Sequence, residues 1–132
     1  MNINHREMLY ALGGIAIGAS GGAALHAQNT ATAPAYYVVE VNVRDVDKYR
    51  NDYASHVAAT LPPYGGRYLA AGGRTESIEG TPPASRVSIL EFPSMDKAEA
   101  WYNSPEYDKI KPVRHAVATT RSFIVEGRPP AQ

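Results

Sequence analysis

The chain has 132 residues, with 13 Lys and Arg against 13 Asp and Glu, and no cysteine. Zero formal charge leaves no cationic stripe to neutralise phosphates, which argues against a nucleic-acid partner. The missing thiols exclude disulfides, thiolate metal sites and cysteine nucleophiles.

In chain order, residues 1–27 read as an export signal. His5 and Arg6 give a weakly positive start, an apolar or small stretch follows over 8–25, and Ala27 offers a small residue before Gln28. Leu25 stands where a second small residue is usual. An uncleaved anchor is the alternative, since the length approaches a membrane span, and it would be the protein's only membrane contact. The expected location is outside the cytoplasm, in the periplasm. Residues 28–35 read as a polar linker, 36–127 as one domain of about 100 residues, and 128–132 as a disordered tail.

Residues 36–43 are β-branched and aromatic, a strand signature, with Val39, Val41 and Val43 on one face and Val38, Glu40 and Asn42 on the other. Asp45 is an N-cap for a helix whose Val46, Tyr49, Tyr53, Val57 and Leu61 recur at helical spacing. Pro62-Pro63 ends it. A second strand starts at Arg67 and is expected to continue past Gly72-Gly73 to Ile78, with the glycines as a bulge. A turn at 79–83 leads to a third strand over 86–92, in which Val87 and Ile89 share a face. Ser94 caps a second helix with Met95, Ala98, Trp101 and Tyr102 inward. Ser104-Pro105 restarts it, and Tyr107, Ile110, Val113 and Val117 keep the spacing. Residues 121–126 form the last strand.

This order, β-α-β-β-α-β, is satisfied by one antiparallel four-stranded sheet with the helices on one face. The other face stays bare. Two such sheets can pack together, which predicts a homodimer with a cavity between sheet and helices.

The motifs Tyr64-Gly65-Gly66-Arg67-Tyr68-Leu69 with Gly72-Gly73, Glu79-Gly80, Arg86, Glu91-Phe92-Pro93-Ser94, Ala100-Trp101-Tyr102 with Ser104-Pro105-Glu106-Tyr107, and Val125-Glu126-Gly127 resemble the Domain of Unknown Function 1330 family over 36–127. The resemblance implies an α+β, ferredoxin-like, dimeric α/β-barrel fold. Its superfamily includes cofactor-free monooxygenases, haem-degrading proteins, lactone isomerases and proteins that only bind ligands. The chain departs from the family pattern at Ala71, where members often carry arginine or another polar residue.

Several residues could carry chemistry. His56 is the candidate general base, against the reading of a surface histidine. His115 sits beside Arg114, a neighbour that discourages protonation. Arg67, Arg74, Arg86 and Arg114 could clamp an anion, or could pair with Glu91, Glu76 or Glu79; Arg67, between glycines and tyrosines, is the foremost of them. Tyr64, Tyr68 and Trp101 could line a pocket for a flat organic molecule, or fill the core. No nucleophile elbow, zinc-binding helix, phosphate loop or dinucleotide fingerprint occurs, so hydrolase, kinase and nicotinamide-dehydrogenase readings fall, and neither metal nor cofactor is expected. Three readings follow. The first is an exported homodimer binding a small organic molecule, neutral or anionic, through Tyr64, Arg67, Tyr68, His56 and Trp101. The second is a cofactor-independent oxygenase or isomerase with His56 as base. The third is an interaction domain with no ligand.

Overall fold

β1 (Ala35–Val43) buries Tyr37, Val39 and Val41 and leaves Tyr36, Val38 and Glu40 half-buried, the two-residue alternation of a strand with one covered face. This computed structural model describes residues 31–131, so the predicted export segment lies outside the described residues. Asp45 caps α1 (Val46–Tyr49), its Oδ1 accepting from the Lys48 N–H at 3.0 Å. The helix continues through a π-helical segment (Arg50–Ala54) into α2 (Ser55–Thr60). Tyr49, Tyr53, Val57 and Leu61 are buried, whereas Val46, first on the predicted stripe, is exposed at the helix start. The proline pair tightens the exit into a 3₁₀ turn (Pro62–Tyr64), and Gly65 ends it at φ +67°, a conformation glycine adopts without steric cost.

β2 (Arg67–Ala71) is shorter than predicted. Gly72 has φ +67° and so leaves the strand, although its N–H still reaches the Val87 carbonyl at 2.8 Å. The register shift falls between Tyr68 and Ala70, which makes Leu69, and not the glycine pair, the irregular residue. Residues 73–78 carry no regular structure and are exposed. β3 (Arg86–Phe92) leads to α3 (Met95–Tyr102), α4 (Pro105–Asp108) and α5 (Lys111–Val117). Ser94 and Ser104 cap α3 and α4 through their hydroxyls. β4 (Ala118–Glu126) starts at Ala118, ahead of the predicted Arg121, because α5 passes directly into extended backbone there. No helix among the described residues is long and apolar enough to cross a membrane.

The sheet order is β2-β3-β1-β4, with every neighbouring pair antiparallel. β3 is inserted between β1 and β2, which is the split βαβ arrangement of the ferredoxin-like α+β fold. Its helix-covered face holds the core. Trp101, 1% exposed, stacks near Tyr37, Phe92 and Tyr107 at centroid distances of 5.4, 5.3 and 4.2 Å. Its indole N–H donates to Thr60 Oγ1 at 2.8 Å, and Thr60 donates on to the Val57 carbonyl at 2.7 Å. A buried indole therefore keeps its polar end satisfied. No helix among the described residues covers the opposite face. Register places Val38, Val87, Ile89, Phe123 and Val125 on it, with the cross-strand ion pairs Arg67–Glu91 at 2.6 Å and Arg121–Glu40 at 3.3 Å.

Candidate functional site

Between the sheet and the first helical stretch lies a cavity of about 150 Å³. β1, β2 and β3 supply its floor through Tyr37, Val39, Tyr68, Arg86 and Ser88, and the helix supplies its roof through Tyr49, Tyr53, Ala54 and Val57. The π-helical segment forms part of that roof. Such wide turns are uncommon and recur at functional sites; here it sets Tyr53 and Ala54 together against the hollow.

Arg86 is the charged group in this wall. It lies at the start of β3, in the same alternation as Ser88, Leu90 and Phe92, so it points under the helices. Its guanidinium carbon sits 5.8 Å from the Tyr49 ring centre. A Cβ at Gly72 would collide with this guanidinium, so the glycine makes room for it. Arg86 pairs with no carboxylate among the described residues, and its buried Nε has no hydrogen-bond partner. A guanidinium half-withdrawn from water with a donor unused is costly unless an anion or water completes it.

The hydroxyls around it stay protonated. Burial raises the Tyr49 and Tyr68 phenols, Tyr68 up to about 12, while the Arg86 charge pulls each back in part. Burial raises Tyr53 as well, whose hydroxyl bonds that of Tyr107 at 2.8 Å. The cavity therefore offers hydrogen-bond donors, aromatic walls and one positive charge. Among the described residues neither carboxylate nor imidazole lines it, so it can hold an anion but gains from them no side chain able to take a proton near neutrality.

Of the five residues expected to form the site, Tyr68 and Trp101 line this cavity and the others do not. His56 is exposed on α2 and lines none of the described pockets. Its spacing, one residue before the buried Val57, turns it to solvent and away from this cavity, where it cannot serve as base. Arg67 points to the bare face, where Glu91 holds it. Tyr64 reaches the surface and bonds Glu106 at 3.3 Å. Arg74 meets Glu76 at 3.8 Å in the exposed loop. The volume also corrects the size of any ligand. A haem-like or drug-sized molecule does not fit this cavity, since such ligands need about 300 Å³ or more. Sequence reasoning placed Arg86 among four arginines without preferring it. The strand alternation that puts it beside Leu90 and opposite Glu91 was the available signal.

Among the described residues no three His, Asp or Glu side chains gather as a metal site would require.

One family model, described as Domain of unknown function (DUF1330), matches residues 34–128. No curated protein matches. Among solved structures, a protein of unknown function from Rhodopseudomonas palustris is similar at 18% identity and TM-score 0.61, covering 77% of this chain and 88% of its own. SnoaB, a cofactor-independent oxygenase from Streptomyces nogalater, is similar at 11% identity and TM-score 0.53, covering 76% of this chain and all of its own. At these identities the likeness is one of fold alone.

Proposed function

The chain belongs to the DUF1330 family, and from that premise we propose that it binds a small organic anion, of about one ring, in the cavity between the sheet and the π-bulged helix. Arg86 holds the charge, Tyr49 and Tyr68 donate hydrogen bonds, and Trp101 and Val39 form the apolar walls. The observation that carries this reading is the Arg86 guanidinium, which faces a cavity of about 150 Å³ with its Nε unbonded and no carboxylate beside it. A cavity of that size accepts a benzene-sized molecule. Benzoate against neutral benzyl alcohol, followed by calorimetry, is the test: benzoate binds and benzyl alcohol binds at least tenfold more weakly. Arg86→Met removes that preference. Equal binding of the two by the wild type defeats the proposal.

The reading includes a homodimer through the bare face of the sheet. Its apolar centre is flanked by ion pairs closed within the sheet, so a second copy would meet no unpaired like charge. Light scattering should give twice the chain mass, and Phe123→Glu should halve it. Export is also part of the reading, supported by the apolar stretch after Arg6. Intact mass of protein from its own cell should begin at Gln28; a mass that retains residue 1 overturns cleavage.

A further inference from the structure

Where α5 meets the start of β4, a second and more open groove of about 470 Å³ is lined by Arg44, Arg114, His115, Thr119, Thr120 and Ser122, with Tyr102 and Ala118 completing it. None of these residues is acidic.

Arg114 is 1% exposed. Its Nη1 donates to the Tyr37 hydroxyl at 3.2 Å, and its guanidinium lies 5.7 Å from the Tyr53 ring centre. Its Nη2 meets His115 Nε2 at 3.2 Å. Because a guanidinium only donates, His115 must accept there as the neutral ring. Arg114 has no carboxylate partner among the described residues, and its buried Nε is bonded to nothing. An uncompensated buried cation is strongly unfavourable. Thr120 Oγ1, in the same groove, is likewise buried and unbonded. Arg44 adds a second guanidinium from the turn after β1. Two of its nitrogens are fixed by Thr119 Oγ1 at 3.1 Å and by the Ala116 carbonyl at 3.0 Å, which holds the head at the groove while leaving further N–H donors.

We propose that this groove binds a small oxyanion, a carboxylate or phosphate group, between Arg44 and Arg114 with Thr120 as hydroxyl partner. Two guanidiniums in a groove without acidic residues suit bidentate recognition of such a group. The site uses none of the cavity's charged residues, so it stands whether or not Arg86 binds an anion.

His115 is the natural reporter. Burial, then Arg114, then Lys111 hold its imidazole below the usual range, and Arg44 is the further charge lining the same groove. A bound anion offsets these cations and raises it. The experiment follows the His115 ring signals by NMR through a pH series on the intact protein, at matched ionic strength, in chloride, acetate, inorganic phosphate and phenyl phosphate. Acetate or phosphate should raise the His115 midpoint saturably, and Arg44→Gln should weaken that response roughly tenfold, the loss of a charge-assisted contact. Tighter binding of phenyl phosphate than of inorganic phosphate assigns the end group of a larger molecule, and equal binding assigns the free anion. A His115 midpoint that moves no more in either oxyanion than in chloride overturns the proposal, as does an unchanged response in Arg44→Gln. If that variant fails to fold, the wild-type comparison with chloride decides alone.

Discussion

The two faces of the sheet treat arginine in opposite ways. On the bare face Arg67 lies against Glu91 and Arg121 against Glu40, each a cross-strand neighbour. Under the helices Arg86 and Arg114 have no carboxylate partner among the described residues, and each keeps an unbonded Nε. Water screens the first pair of charges, so their partners matter little; burial makes the second pair expensive, so whatever completes them matters a great deal. A cation kept in the costly place without a carboxylate to neutralise it is where a ligand's charge is best placed.

The largest difference between the faces should appear in stability. Trp101→Ala empties the centre of the covered face and unbinds Thr60, and should cost about 3–5 kcal/mol in urea unfolding. Phe123→Ala on the bare face should change dilute protein by less than about 0.5 kcal/mol. A Phe123→Ala cost that grows with protein concentration would be the signature of a second copy on that face.

Gly72→Ala comes next. The residue holds φ +67°, and a Cβ there would collide with the Arg86 guanidinium. Strain of this kind costs about 1–3 kcal/mol, and displacing Arg86 should also abolish benzoate binding. A stable variant that still prefers benzoate would show that Arg86 does not hold the charge.

The contrast between faces was partly legible in the sequence. Alternation in β1 and the Asp45, Ser94 and Ser104 caps gave the element order, because hydrophobic period and capping are local signals. The site was less legible. Tyr64, Arg67 and Tyr68 drew attention through their glycine neighbours, yet Arg67 and Tyr68 are successive strand residues and must point to opposite faces; only Tyr68 points to the cavity. Arg86 was readable by the same rule, sharing its parity with Leu90 and Phe92. The π-helical segment, the lack of a carboxylate partner for Arg114 among the described residues and the size of the cavity are tertiary facts with no local signature.

Alkaline pH should act on the covered face more than on the bare one. Tyr68 is 37% exposed as a residue but lines the cavity, and the withdrawal of its hydroxyl from water raises it to about 12; burial moves Tyr49 in the same direction, from an ordinary value of 10.0. An unfolded chain releases these protons near pH 10 while the folded chain keeps them. The stability they contribute is therefore full below pH 10 and is lost as pH rises toward 12. Urea midpoints at pH 8, 10 and 11 should fall over the last interval, and Tyr68→Phe should make the fall shallower. A slope unaltered by that substitution would place the Tyr68 hydroxyl in water.

The smallest effect belongs to Arg67. Its side chain is 70% exposed although it touches Glu91 at 2.6 Å, and exposed pairs of this kind contribute less than about 1 kcal/mol. Arg67→Gln should leave the urea midpoint nearly unchanged, and benzoate affinity should stay at the wild-type value, because the side chain points away from the cavity. The pairing of Arg67→Gln with Arg86→Met then reads the two faces against each other: both remove one guanidinium from the same sheet, and only one should remove the anion. Loss of benzoate binding in Arg67→Gln with Arg86→Met unaffected would move the site to the bare face, where a second copy of the chain would have to supply its roof.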